Sequence, residues 1–250
     1  EEDYGLTQFY TLTLLMVAGM VGVVASADLF TLYVLWELMA VSSYCLVAFR
    51  VEDLDSVEAG MKYALMSIAG SIATLYGLSY LYGVAGTLNV FELAKAIASV
   101  PPSLSLYGAL AFLVFGCSVK AAIVPFHAWA PDAYQAAPAP VSSLLSGVVK
   151  KVGVYALLRF LPLIFPSSLY AWQAAVAILA VLSMTLGNIL ALLQDDVKRI
   201  LAYSSISHVG YILIGLAVAT HDAIVGSLLH VFTHATMKGL AFLCAGSLFY

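Results

Sequence analysis

Long apolar runs without a charged residue constrain this chain more than any other feature. Between Asp3 and Asp28 no charge occurs, and similar stretches recur along the whole sequence. A helix that crosses a bilayer needs about 20 predominantly apolar residues. Of the 250 residues, 63% are hydrophobic and 10% are charged, so too few polar side chains remain to coat a compact soluble fold. The sequence predicts an integral membrane protein and excludes a disordered chain, a nucleic-acid-binding protein and a secreted disulfide scaffold.

The apolar runs predict about eight transmembrane helices. We expect an all-α fold, because backbone that faces lipid must satisfy its hydrogen bonds internally. The predicted spans cover residues 5–26, 28–50, 62–83, 104–125, 139–165, 169–193, 200–219 and 223–249. Pro162 and Pro166 are expected to separate the fifth span from the sixth.

The loops at the two ends of these spans differ in basic residues. One side receives four of them and the other receives two, namely Arg50, Lys62, Lys198 and Arg199 against Lys95 and Arg159. Cytoplasmic loops carry an excess of Lys and Arg. The sequence therefore predicts a multi-pass protein whose N-terminus lies on the cytoplasmic side.

The fourth span is expected to be discontinuous within residues 104–138. Prolines follow Lys120 closely, beginning with Pro125 and Pro131, and a proline inside a helix removes a hydrogen-bond donor and clashes with the preceding turn. We predict a break just after Lys120. Interrupted helices place polar backbone at membrane depth and mark ion or substrate sites in transporters. The alternative interpretation is a surface loop that follows an ordinary span.

Several ionisable residues lie inside the predicted spans. An ionisable side chain near the bilayer centre costs roughly 2.5–3.5 kcal/mol, which calls for a pairing partner or water. Glu37 lies roughly 13 Å beyond Asp28 along its helix, near the middle of the hydrocarbon core. The lysines inside spans are Lys120, Lys150, Lys151 and Lys238. Because burial favours the neutral form of such groups and an opposite charge favours the charged form, the series predicts a proton relay. The alternative is that these charges only hold helices together.

A second group of titratable residues lies on the eighth span. His230, His234 and Lys238 are spaced four residues apart, which places them along one helix face. Histidine titrates near neutrality, so this face is also predicted to relay protons. His208, which follows three serines on the seventh span, adds to the polar patch. The less favoured alternatives are packed histidines without a relay role and a metal site, which lacks the Glu of an HExxH motif and a third ligand.

The sequence contains no motif for a cofactor or a catalytic nucleophile. The cysteines Cys45, Cys117 and Cys244 lie far apart, without a CxxC pair, so iron–sulfur clusters, attached haem and structural zinc lack ligand sets. We expect buried, reduced thiols that pack as small hydrophobic side chains. No catalytic, cofactor-binding or metal site is predicted within this chain.

Five segments together resemble one known family. They are Trp36–Met39 with Ser42–Tyr44, the run VKAAIVPFHAW at 119–129, PDA at 131–133, DVKRILAYSSISHVGY at 196–211 and HVFTHATMKGLAFLCA at 230–245. The chain resembles the antiporter-like, ion-pumping subunits of respiratory complex I. The same domain occurs in membrane-bound energy-converting hydrogenases and in Mrp-type Na⁺/H⁺ antiporters. The resemblance covers essentially the whole chain.

This resemblance implies a fourteen-helix fold built from two inverted five-helix repeats, each with one broken helix. Residues 1–250 would then be a fragment of a single transmembrane proton-translocating domain. Residues 5–165 would form the first repeat, and residues 169–250 would supply three helices of the second. The second broken helix would lie beyond Tyr250.

The resemblance also assigns roles to the charged residues. Glu37 would be the acid of a Glu–Lys pair and Lys120 the lysine of the broken helix. Lys151 would connect the two halves, with Lys150 as a close rival. His230, His234 and Lys238 would form the relay of the second half.

The implied function is proton translocation in a redox-driven complex, such as NADH:quinone oxidoreductase or a membrane-bound hydrogenase of a respiratory chain. Sodium is the alternative coupling ion. The expected partners are other membrane subunits, with any iron–sulfur, flavin or NiFe centre in those subunits. The expected location is a prokaryotic cell membrane or an equivalent energy-transducing membrane. The alternative functions are an Mrp-type secondary Na⁺/H⁺ antiporter subunit and a structural membrane anchor.

Overall fold

A computed structural model describes residues 2–248 of the chain, and within that range the regular elements are helices joined by turns and short connections. The helices are α1 (Glu2–Ala25), α2 (Leu29–Val47), α3 (Leu54–Ala85), α4 (Val90–Ser99), α5 (Leu104–Lys120), α6 (Trp129–Ala136), α7 (Ala139–Leu144), a π-helical turn (Leu145–Val149), α8 (Lys150–Ile164), α9 (Trp172–Leu192), α10 (Val197–Val218) and α11 (His221–Ser247). Between residues 2 and 248 no strand forms, and the β-type pairing is an isolated bridge between Asp28 and Asn89.

Seven helical segments in residues 2–248 are long and apolar enough to cross a membrane, and α5 is a shorter apolar helix. One of the seven, residues 139–164, comprises α7, the π-helical turn and α8. The predicted all-α integral membrane fold is confirmed. The helix that corresponds to the eighth predicted span ends at Ser247, and Phe249, where we expected that span to end, lies outside the described residues.

Polar side chains mark where several helices begin. Asp28, Asp53, Ser103 and Asp196 each accept hydrogen bonds from backbone N–H groups in the first turn of the helix that follows, which satisfies donors that have no partner within the helix. Because Asp53 caps α3, that helix begins at Leu54, and the predicted start at residue 62 was wrong. The seventh span likewise begins at Val197 rather than at residue 200.

Helix α4 has no counterpart among the predicted spans. Asn89 caps its first turn, and its apolar residues Val90, Leu93 and Ile97 are buried while Phe91 and Lys95 face outward. An amphipathic helix of this length lies at a surface rather than across a bilayer. It therefore fills the connection between the third and fourth predicted spans.

The predicted discontinuity after Lys120 is confirmed. Helix α5 ends at Lys120, residues 121–128 form turns, and the chain becomes helical again at Trp129. The backbone N–H of Ile123 bonds to the carbonyl of Ser118 at 2.9 Å, and that of Val124 bonds to the Ser183 hydroxyl at 3.1 Å. These two backbone donors at the break therefore have partners inside the protein, as membrane depth requires.

The prolines near the break differ in their roles. Pro125 lies in the turns between α5 and α6, after a cis peptide bond. Pro131, which we expected to interrupt the helix, lies instead in the first turn of α6, where a backbone N–H has no helical partner to lose. The predicted separation of the fifth and sixth spans is confirmed, since Pro166 lies in the connection between α8 and α9, although α8 continues past Pro162 to Ile164.

The expected burial of the cysteines is correct only for Cys117. Cys45 and Cys244 are exposed at the surface of the chain. Both lie on apolar helices, where an outward-facing thiol contacts lipid as readily as a small hydrophobic side chain does.

Candidate functional site

The Glu37 and Lys120 side chains meet, although 83 residues separate them in sequence. The Lys120 Nζ atom lies 3.4 Å from the Glu37 Oε1 atom. The Lys120 side chain is 6% exposed and that of Glu37 is 32% exposed. Lys120 is the last residue of α5, so the break presents its ammonium group at the end of a helix, where the macrodipole favours a cation.

Two serines of α3 complete this pair, and the sequence analysis missed both. Lys120 Nζ donates to the Ser67 hydroxyl at 2.5 Å, and the Ser71 hydroxyl donates to Glu37 Oε1 at 2.5 Å. The two serines are four residues apart, which places them on one helix face. That spacing within an apolar helix was the available signal. The result is a partly buried, hydrogen-bonded ion pair shared by α2, α3 and α5.

Lys150 and Lys151 directly follow the π-helical turn and make different contacts. Lys150 is fully buried. Its Nζ donates to the hydroxyl of Ser205 on α10 at 2.6 Å and lies 5.8 Å from the ring centroid of Tyr134. Lys151 is also buried, but it donates to the carbonyl of Ser146 on its own helical segment. Lys150 therefore reaches the second group of helices, whereas Lys151 stabilises the turn that precedes it.

Lys238 approaches the same part of α10 from α11. Its Nζ donates to the Ser204 hydroxyl at 2.9 Å, and its side chain is buried. Neighbouring hydroxyls on α10, those of Ser204 and Ser205, thus accept hydrogen bonds from lysines of two different helices. A hydroxyl group both donates and accepts, so this pair of serines is suited to pass a proton.

The side chains of His208, His230 and His234 form one cluster between α10 and α11. His208 Nδ1 lies 3.1 Å from His230 Nε2, so one of these nitrogens carries the shared hydrogen. The rings of His208 and His234 have centroids 4.7 Å apart. His234 is fully buried, and neither of its ring nitrogens bonds to another residue described by the structure. Within residues 2–248 no group of three or more His, Cys, Asp or Glu side chains has the geometry of a metal site.

The structure groups the predicted residues into two clusters. One contains Glu37 and Lys120, and the other contains the remaining lysines and histidines. Among the described residues, no direct hydrogen bond joins the Lys120 ammonium to the Lys150 ammonium or to its partner Ser205. His127 lies in the break near Tyr203 of α10, with ring centroids 6.4 Å apart. Its buried Nδ1 has no partner within residues 2–248, and the sequence analysis gave it no role of its own.

Helix α8 packs closely on the break at Gly153. A Cβ atom added at Gly153 would lie 2.9 Å from both the Ala121 nitrogen and the Cys117 carbonyl oxygen. These are backbone atoms, which cannot move aside as a flexible side chain does. The absence of a side chain at Gly153 therefore permits the close contact between α8 and the break.

We expect Gly153→Ala to lower the thermal unfolding temperature, because the added methyl group overpacks this contact at a cost of about 1–3 kcal/mol. Differential scanning fluorimetry of the purified protein in detergent measures the change. Gly83→Ala is the matched control, since the Cβ added at that position meets no atom within 4 Å apart from the backbone of its own helix. Equal unfolding temperatures for the two variants would contradict the expectation.

Comparison with known proteins identifies what the chain is similar to. Residues 26–250 match the family described as NADH:quinone oxidoreductase/Mrp antiporter, TM. The chain is 40% identical over 246 residues to NADH-quinone oxidoreductase subunit N of Desulforudis audaxviator, covering 95% of this chain and 48% of that protein.

Two solved structures share the fold. A chain of the membrane-bound sulfane sulfur reductase, an archaeal respiratory membrane complex, superimposes with a TM-score of 0.89 at 37% identity, covering 94% of this chain and 48% of that one. A chain of the Mrp complex from Dietzia sp. superimposes with a TM-score of 0.86 at 28% identity, covering 94% and 44%. The present chain thus spans about half the length of the proteins it matches.

Proposed function

The chain belongs to the family of transmembrane subunits found in NADH:quinone oxidoreductases and Mrp antiporters, and we propose that it moves protons across an energy-transducing membrane as part of a redox-driven complex. The observation that carries this proposal is the ion pair of Glu37 and Lys120, 3.4 Å apart at the break in a membrane helix. An ionisable side chain at that depth costs free energy unless it has a partner or contacts water. Such side chains inside membrane helices mark ion pathways by default.

The proposed cycle begins with Glu37 holding Lys120 in its charged form. Burial alone favours a neutral lysine, whereas a nearby carboxylate favours the ammonium. A movement in a partner subunit that draws Glu37 away therefore allows Lys120 to release its proton. The hydroxyls of Ser67 and Ser71 bind the two charged groups separately, so each group retains a hydrogen-bond partner when the pair opens.

The proton then passes from Lys120 to the second cluster. No direct hydrogen bond spans this step among the described residues, so the transfer uses water. The contact of Lys150 with Ser205 supports Lys150 as the receiving lysine, with Lys151 as its rival. From there the hydroxyls of α10 lead to Lys238 and to the cluster of His208, His230 and His234.

The remaining features of the whole protein are also proposals. Electron transfer would take place in partner subunits that hold iron–sulfur, flavin or NiFe centres. Residues 5–165 would form a complete five-helix repeat and residues 169–250 part of a second one, with the N-terminus on the cytoplasmic side. The match to subunits of respiratory complexes supports this arrangement.

Glu37→Gln tests the proposed function. Glutamine preserves the shape of the side chain and can accept from Ser71, but it removes the charge that holds Lys120 protonated. We expect proton uptake driven by an electron donor to fall to background in vesicles that contain the purified complex, with the subunit composition unchanged. Glu92→Gln is the matched control, because Glu92 is exposed on α4 and bonds to Thr87. Proton uptake at the wild-type rate in Glu37→Gln would refute the role of the pair.

A secondary Na⁺/H⁺ antiporter is the second candidate function, which the similarity to the Mrp complex supports. The two functions differ in what drives them. Vesicles with an imposed pH gradient and no electron donor separate them: sodium exchange under these conditions favours the antiporter, whereas proton uptake that requires the donor favours the redox-driven subunit.

A further inference from the structure

The short helix after the break is held by charges from two other helices. The Asp132 carboxylate on α6 accepts from Lys62 of α3, with 3.0 Å between Oδ2 and Nζ. Its other oxygen, Oδ1, accepts from Arg199 of α10, with 2.8 Å to Nη1. One carboxylate on α6 thus joins a helix that precedes the break to a helix that follows it by many residues.

The end of α6 is held by the same part of α10. Arg199 Nη1 also donates to the side-chain oxygen of Gln135 at 2.9 Å. Lys198 Nζ donates to the carbonyls of Gln135 and Ala137 at 3.2 and 3.0 Å. Carbonyls at a helix C-terminus lack partners within the helix and attract cations. The first residues of α10 therefore bind both the side chains and the end of α6.

Helix α6 also contacts both clusters of the site. The indole Nε1 of Trp129 donates to the carbonyl of Val119, the residue before Lys120, at 2.8 Å. The ring of Tyr134 lies 5.8 Å from Lys150 Nζ. A shift of α6 therefore changes the surroundings of both Lys120 and Lys150, the two lysines between which water carries the proton.

We propose that the contacts of Lys62, Asp132, Gln135, Lys198 and Arg199, here called the α6 clasp, position α6 and couple the opening of the Glu37–Lys120 pair to movement of α10. This inference rests on the proposed function and extends it from single relay residues to the element that links them. Helix α10 bears Ser204 and Ser205, so its displacement alters the contacts of Lys238 and Lys150 directly.

The α6 clasp lies in polar, partly exposed surroundings, so its contacts can break and re-form. Its charged residues line a polar cavity of about 400 Å³, and the side chains of Asp132 and Arg199 are 26% and 29% exposed. A single exposed ion pair contributes little to stability, whereas several charges organised as a network contribute more. Because Asp132 serves two cations at once, loss of its charge removes one charged contact of α6 with α3 and one with α10, while the contacts of Gln135 and Ala137 with α10 remain.

Asp132→Asn tests whether the clasp positions α6. The amide keeps the shape of the side chain but removes the charge that both cations share. We expect backbone amides of α6 and of the first turn of α10 to exchange hydrogen about fivefold faster in the purified complex, measured by mass spectrometry. Asp55→Asn is the matched control, since Asp55 lines the same cavity but takes part in none of the clasp contacts. Wild-type exchange in Asp132→Asn would overturn the inference.

A second measurement tests the coupling. In reconstituted vesicles we expect Asp132→Asn to lower the number of protons moved per electron about twofold or more, since loosened charge contacts of this kind change equilibria by a few-fold. We expect Asp132→Glu, which restores the carboxylate, to recover part of the loss. Addition of Arg199→Gln to Asp132→Asn should cause a smaller further loss than Arg199→Gln causes alone, because the two residues share one contact and Arg199 also donates to Gln135.

The outcomes separate this inference from the proposed function. Faster exchange with a wild-type proton ratio in Asp132→Asn would show that the order of α6 is not transmitted, and the inference would fail while the Glu37–Lys120 pair kept its role. Normal pumping in Glu37→Gln would remove the proposed function, whereas the exchange result would still decide whether the clasp positions α6.

Discussion

Replacing Lys120 with methionine is expected to abolish proton translocation while the complex still assembles. Methionine fills a similar volume without a charge, so the buried end of α5 stays packed. Removal of one partner from a buried ion pair is costly when the remaining charge is buried, but Glu37 is 32% exposed and keeps its bond from Ser71. The loss should therefore lie in function rather than in folding. Donor-driven proton uptake by reconstituted vesicles measures it.

Lys95→Met provides the matched control for this experiment. Lys95 lies on the exposed face of α4, so the same change of side chain there should leave proton uptake intact. Subunit composition and thermal unfolding of both variants show whether the complex has formed. Substantial uptake in Lys120→Met would mean that the proton bypasses the break.

The neighbouring lysines at the start of α8 offer an internal comparison with an equally large expected effect. We expect Lys150→Met to abolish proton translocation and Lys151→Met to leave a substantial part of it. Lys150 is fully buried and bonds to Ser205 on α10, whereas Lys151 bonds to a carbonyl of its own segment. Lys150 bonds to a neutral hydroxyl rather than to a carboxylate, so methionine of similar volume leaves no opposite charge buried and unpaired, and misfolding is not the expected cause of the loss.

Proton uptake by the two variants, each in the assembled complex, decides between these adjacent residues. The family resemblance favoured Lys151, while the contacts in the structure favour Lys150. Loss of uptake in Lys151→Met together with retained uptake in Lys150→Met would reverse our assignment of the connecting lysine.

Most of the helices were predictable because a membrane span is a local property of the sequence. An apolar run long enough to cross the bilayer identifies a span without knowledge of its neighbours. The start of α3 was misplaced because its first turns carry Glu58 and Lys62, which line the polar cavity rather than contact lipid. The capping residue Asp53 was the local signal that would have corrected it.

The site residues that carry a charge inside a membrane span were predictable from the sequence. The contacts that join residues far apart in sequence were not. Glu37 and Lys120 were identified because charges inside spans are rare. Ser67 and Ser71 were missed because a serine in a membrane helix commonly bonds to its own backbone, and the Ser67 carbonyl is indeed an alternative acceptor 2.9 Å from the Ser71 hydroxyl. Asp132 lies 70 residues from Lys62 and 67 from Arg199, and no local pattern specifies such pairings.

The adjacent serines of α10 have a geometric consequence for the two lysines they bind. Consecutive side chains on a helix point about 100° apart, so Ser204 and Ser205 face different neighbours from a single rigid rod. A rotation of α10 about its long axis therefore alters both the Lys238–Ser204 and the Lys150–Ser205 hydrogen bonds at the same time.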